Sequence, residues 1–188
     1  MRLFGKEFRP ESVPDAVRLG VGFVTSNRAE EGLAMPLTVT ENLMPNPAVR
    51  GQRAWHFRRN RAERDVAQDL VAEFGVRPAN PDLIVSALSG GNQQKVILGR
   101  WLSTDAKILV LEEPTAGVDV GAKHELYTLL DQALARGVAV LLISTDYEEV
   151  AHVSHHALVF KDGLVVRDIP RAELSVQTLV AYASGAAA

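Results

Sequence analysis

Two short apolar runs stand out in the second half of the chain, KILVLE at residues 107–112 and VAVLLIS at 138–144. Each is a strand's length and neither alternates with polar residues, so both read as strands buried on both faces. Between them Leu126, Leu129, Leu130, Ala133 and Leu134 recur at helical spacing, and Gly137 follows as a stop. Buried strands joined by a helix predict an α/β fold, with a parallel sheet covered on both faces. A second helix is expected to start near residues 89–91 and to run to about Leu102. A further buried strand is expected at residues 21–25 (VGFVT), after a helix over 13–19 that Gly20 ends. Residues 157–160 and 164–166, separated by Lys161-Asp162-Gly163, read as an antiparallel hairpin.

Residues 29–88 have another texture. They hold Pro36, Pro45, Pro47, Pro78 and Pro81 and many arginines, and Val66, Leu70, Val71 and Phe74 fall on one helical face before Gly75. The organisation expected is therefore a first α/β segment over 1–28, a mostly helical subdomain over 29–88, and an α/β segment over 89–188. The alanine-rich end is expected to fray.

Composition narrows the chemistry. The chain has 188 residues and no cysteine, which excludes disulfides, thiolate metal sites and cysteine nucleophiles. A formal net charge of -3 does not point to nucleic acid. The arginines between Arg50 and Arg64, interleaved with Trp55, His56 and Phe57, form a basic aromatic stretch. It reads first as a solvated helical face that can touch a partner protein, with no nucleic acid among the expected partners. His152, His155 and His156 have helical spacing but lack the further ligands of a zinc site. No apolar run approaches the roughly 20 residues that span a bilayer, so a membrane role is expected to run through a partner.

Two strings carry chemistry. In Leu88-Ser89-Gly90-Gly91-Asn92-Gln93-Gln94-Lys95, a serine and two glycines lead into a helix. Glycine lets backbone approach a phosphate, and a helix N-terminus offers free N–H groups and a positive dipole end. Ser89 suits either a hydroxyl donor or an ordinary helix cap. In the second string, residues 108–115, an apolar strand ends in Glu112-Glu113-Pro114-Thr115. Two acids at the C-terminal edge of a sheet suit a metal ligand and a group that orients water, or a solvated edge.

Taken whole, the first string resembles the signature motif of ABC-type ATP-binding cassettes, and its Asn-Gln-Gln-Lys ending is similar to the sugar-importer branch. The order of signature helix, acidic strand and Gly117-Val118-Asp119 also matches. The resemblance implies a partial P-loop NTPase fold, in the later part of the second cassette of a fused importer protein. It implies ATP and Mg²⁺ as cofactors. Its partners would be a second cassette, a membrane permease and, indirectly, a periplasmic or extracellular sugar-binding protein. The chain would then lie in the cytoplasm, peripheral on the membrane.

Residue by residue, the resemblance places Ser89, Gly90, Gly91, Asn92 and Gln93 against the γ-phosphate of nucleotide held by the opposite cassette. It places Glu112 at the metal, Glu113 as the water-polarising base, and Asp119 at the dimer interface, where Asp also suits a helix cap. Thr145 stands where the family usually has His. A Thr can give one neutral hydrogen bond but no imidazole, and losing a charge-assisted contact costs about 1.5–3 kcal/mol. In Thr25-Ser26-Asn27-Arg28, only Arg28 matches the usual Pro-Glu-Asp-Arg, and Ser26 takes the polar place near the metal. Glu112 is one methylene longer than the usual Asp. No G-x-x-x-x-G-K-[ST] string occurs in these residues. The β-phosphate cradle is therefore expected from elsewhere, and the chain is expected to be inactive by itself.

Overall fold

The computed structural model describes residues 2–3, 5–44 and 60–185. Its elements in order are β1 (Arg2–Leu3), β2 (Lys6–Glu7), α1 (Val13–Arg18), β3 (Val21–Val24), α2 (Val39–Leu43), α3 (Asn60–Glu73), α4 (Gly90–Leu102), β4 (Ile108–Glu112), α5 (Val120–Ala135), β5 (Ala139–Ile143), α6 (Tyr147–Val153), β6 (His156–Lys161), β7 (Leu164–Pro170) and α7 (Val176–Ser184). A π-helical turn, Arg28–Gly32, follows β3. The chain divides into two compact units, Met1–Leu141 and Leu142–Ala188, and the division falls inside β5. The basic aromatic stretch from Arg50 to Arg59 lies outside the described residues.

The first unit is built on a three-stranded sheet in the order β3-β4-β5. β3 and β4 are parallel, with Gly22 opposite Leu109 and Val24 opposite Leu111. These four residues are buried and form the covered face. α4 packs there closely enough that a Cβ on Gly22 would come within 2.9 Å of the Trp101 ring. The opposite face departs from the expectation of cover on both sides. Phe23 and Leu141 are 49% and 54% exposed. Apolar periodicity reports which residues favour burial, but it cannot report what covers them.

Cap chemistry sets the helix starts. Ser12, Asp119, Asp146 and Ser175 each accept a backbone N–H of the helix they precede. Thr38 and Glu41 form a reciprocal capping box at α2. α3 buries Ala67, Leu70 and Val71, with Phe74 just beyond its end, against the rest of the unit. Gly75 then takes the left-handed conformation, φ +61°, that ends the helix. Lys95 is buried on α4, where its Nζ bonds the Gly75 carbonyl at 2.8 Å and pairs with Glu125 of α5. Arg100 ties α4 to the segment over residues 29–88 by donating to the carbonyls of Asn42 (2.7 Å) and Gly32 (2.9 Å). Burial brings its guanidinium down to about 10.

The second unit holds the expected hairpin. β6 and β7 are antiparallel, and Asp162 (φ +50°) and Gly163 (φ +79°) turn between them, the pairing that a two-residue hairpin turn requires. Ala157, Val159, Ile169 and Leu179 form its small core. His156 pairs with Asp168 across the hairpin. Among the described residues no cluster of three or more His, Cys, Asp or Glu is placed to hold a metal by itself.

Candidate functional site

The N-terminus of α4 differs in its chemistry from the other capped helices. Ser89 occupies the cap position with extended backbone, yet its side chain makes no capping bond. Its Oγ instead accepts from Asn92 Nδ2 at 2.9 Å, while Asn92 Oδ1 accepts the Arg77 N–H at 2.8 Å. The first N–H groups of a helix have no intrahelical partner, and here no cap side chain takes them. Gly91 is buried, and a Cβ on it would lie 2.5 Å from Ala122 Cβ, so bare backbone is the condition for α4 and α5 to meet. Gln93 faces inward. Its amide donates to the carbonyls of Val85 (3.3 Å) and Leu88 (3.1 Å) and holds the turn that delivers Ser89.

The acidic strand end is organised from β3. Ser26 donates its backbone N–H (3.2 Å) and its hydroxyl (3.1 Å) to the same oxygen of Glu112. Ser26 and Glu112 are therefore neighbours across the sheet edge, although 86 positions separate them. Glu113 follows with φ +43°, a left-handed backbone that costs a non-glycine residue about 1–3 kcal/mol. Its carbonyl accepts from Ala116 N–H at 3.0 Å, closing a turn that aims the segment back toward α5. Gly117 is also left-handed, at φ +65°. Asp119 caps α5 through a 3.0 Å bond from Ala122 N–H, so the cap reading of this residue holds.

Thr145 is exposed, in the second unit, between β5 and α6. Beside it Ser144 Oγ donates to buried Glu149 at 2.6 Å, and Asp146 accepts the N–H groups of Glu148 and Glu149. A residue that sequence reasoning did not assign to the site is Arg28. Its Nη1 donates to the Ala116 carbonyl at 2.9 Å, and its Nη2 lies beside Gly90. The only sequence signal was its match to the importer pattern. Nothing in local spacing announces a contact to a loop 88 positions away.

With this geometry in view, the comparisons become informative. The family model described as ABC transporter matches residues 2–116. The chain belongs to the ABC transporter family. It is 37% identical over 171 residues to the ribose import ATP-binding protein of Hahella chejuensis, covering 91% of this chain and 34% of that protein. It is 34% identical over 182 residues to the ribose import ATP-binding protein of Bacillus licheniformis, covering 96% of this chain and 36% of that protein. The chain thus spans about a third of the length of these curated relatives. Among solved structures it resembles a dimeric ATP-binding cassette in a post-hydrolysis state with ADP and Pi, at TM-score 0.66 and 24% identity over 80% of this chain and 62% of that one. It also resembles the ADP conformation of an ATP-binding cassette of an ABC transporter, at TM-score 0.69 and 23% identity over 91% and 69%. These likenesses establish the cassette fold.

The residues present fit part of a Mg-nucleotide site. Mg²⁺ is commonly held by one or two carboxylates together with phosphate oxygens and water. Glu112, with Ser26 beside it, offers that donor set. The open end of α4 suits a terminal phosphate.

Proposed function

We propose that the chain is the signature-bearing part of the ATP-binding subunit of an ABC-type carbohydrate importer. The observation that carries this reading is the uncapped Ser89-Gly90-Gly91 end of α4, set beside the Glu113–Asp119 loop of the same unit. The relatives named for ribose import support a ribose-type sugar as cargo of the assembly. In that assembly a second cassette supplies the P-loop, a membrane permease receives the motion, and a periplasmic or extracellular sugar-binding protein delivers the sugar. The subunit then works at the cytoplasmic face, and among the described residues no helix is long and apolar enough to cross a membrane.

Each residue has a defined task in this reading. Ser89 turns its hydroxyl, and Gly90, Gly91 and Asn92 their backbone N–H groups, toward the terminal phosphate held by the opposite cassette. Gln93 acts from beneath, through the turn it braces. Glu112 and Ser26 would hold Mg²⁺, which supplies charge neutralisation to the phosphates when bound. Glu113, held in its left-handed turn, orients the attacking water and takes its proton. Asp119 fixes the start of α5 at the face that meets the second cassette. Thr145 gives one neutral hydrogen bond where the family usually has an imidazole.

A second reading is favoured by Glu112 in place of the family's usual Asp and Thr145 in place of its usual His. Here the chain is a non-catalytic module that lends its α4 face to a competent cassette, or a remnant without activity. Mg-ATP hydrolysis separates these. The chain is assayed alone and mixed with an intact cassette whose own signature serine is replaced. The proposal expects no turnover alone and restored turnover in the mixture. Turnover by the chain alone would overturn the P-loop argument, and silence in both would leave the remnant reading.

A further inference from the structure

Three segments far apart in sequence meet at one side chain. Arg28 starts the π-helical turn Arg28–Gly32, and its own carbonyl accepts the Leu33 N–H at 2.8 Å. The turn is braced at its C-terminal end, by Thr25 Oγ1 donating to Glu31 at 2.8 Å and by Arg100 donating to the Gly32 carbonyl at 2.9 Å. From this fixed base the guanidinium reaches the Ala116 carbonyl, 2.9 Å from Nη1. Nη2 lies 2.7 Å from the point a Cβ on Gly90 would occupy, and the Gly117 carbonyl oxygen lies 3.3 Å from the same point. Nη2 is also 3.5 Å from the corresponding point on Gly117.

The missing side chain at Gly90 thus has a physical meaning. The guanidinium and the Gly117 backbone fill that space. Charge alone does not explain the arrangement, because a cation at a helix N-terminus opposes the helix dipole. The contacts do. A planar fork lets one nitrogen hold the Ala116 carbonyl while the other rests against Gly90, which a lysine ammonium cannot do. Ala116 and Gly117 are themselves exposed, and such a loop rearranges easily when few contacts hold it.

We propose that Arg28 is a positioning residue that sets the spacing between the Gly90 end of α4 and the Glu113–Asp119 loop. It acts through Gly90 and Ala116 and keeps the phosphate-facing N–H groups and Glu113 in one arrangement during turnover. This role rests on the function proposed above.

Two readouts test it separately. In the chain alone, amide hydrogen exchange over residues 115–119 reports the strut itself. Arg28→Met and Gly90→Ala should each speed exchange there about fivefold, the worth of one hydrogen bond. The double variant should exceed neither, because an added Cβ at 90 acts by expelling the same guanidinium. Additive effects, or unchanged exchange in Arg28→Met, would overturn the strut. In the mixture with the signature-impaired cassette, Arg28→Met should lower kcat about ten- to a hundredfold with little change in KM for ATP. Arg28→Lys should not restore kcat. Full turnover by Arg28→Met despite the loosened loop would reduce Arg28 to a structural contact. A wild-type chain that restores no turnover would remove the proposed function, and this role with it, while exchange still reports the strut.

Discussion

Ser26 and Glu112 share one carboxylate oxygen through two donors, the Ser26 N–H at 3.2 Å and its hydroxyl at 3.1 Å. This pairing joins the end of β3 to the end of β4 and orients the first acid of the Glu112-Glu113 pair. Removing the hydroxyl with Ser26→Ala should cost about 0.5–1.5 kcal/mol of that orientation. The corresponding rise in the Mg²⁺ concentration for half-maximal turnover in the mixed assay is about two- to tenfold. Glu112→Gln should raise it further, because the charge itself is lost. A Mg²⁺ titration of the three proteins checks the order.

Gly91 is predicted to be intolerant for a steric reason. Its Cβ would stand 2.5 Å from Ala122 Cβ, so Gly91→Ala must push α4 off α5. Overpacking of this kind costs about 1–3 kcal/mol. Ala122→Gly opens the space, at about 1 kcal/mol of helix propensity. Urea denaturation should therefore show the double variant to be more stable than the sum of the two single losses.

Glu125 carries a pH-dependent prediction. The hydrogen bond from Lys95, and then its charge, hold the Glu125 carboxyl below the usual carboxylate range. Glu41 is lowered likewise, by the Thr38 hydroxyl and backbone N–H. An acid depressed in the folded state binds its proton more weakly there than in the unfolded chain. Its stabilisation is complete above the ordinary carboxylate range and is lost as pH falls through the depressed value. Glu125→Gln should flatten the acid limb of a stability–pH curve. At neutral pH it should also cost about 1–3 kcal/mol, because buried Lys95 loses its carboxylate.

Much of the fold was legible because periodicity and end signals agree over long segments. α4, α5, β4 and β5 fall within a residue or two of their expected ranges, and Gly75 and Gly137 stop their helices by taking positive φ. The family was legible in one contiguous string around Ser89. What the chain does not write locally is harder to read. Lys95 looks like a surface residue and is buried between Gly75 and Glu125. Gln93 reads as a ligand contact, while its amide braces the turn before Ser89. The exposed face bearing Phe23 and Leu141 departs from the expected cover, since apolar content does not say what covers a strand. Arg28 depends on a loop brought to it only by the sheet.

Glu113 sets function against stability. Its φ of +43° disfavours any side chain with a Cβ. Glu113→Gly should leave the chain equally stable or raise it by about 1 kcal/mol, while abolishing turnover in the mixed assay. Thermal denaturation and hydrolysis on the same sample check both halves.

The central claim is that the chain gives its α4 N-terminus to nucleotide bound by another cassette. The most direct measurement is Mg-ATP hydrolysis by the signature-impaired cassette with wild-type chain and with Ser89→Arg. An arginine at 89 places a bulky side chain over the open N–H groups without disturbing Gly91 against Ala122. The account predicts turnover restored by the wild-type chain and lost with Ser89→Arg, both proteins being equally folded. Equal turnover with the two would contradict it.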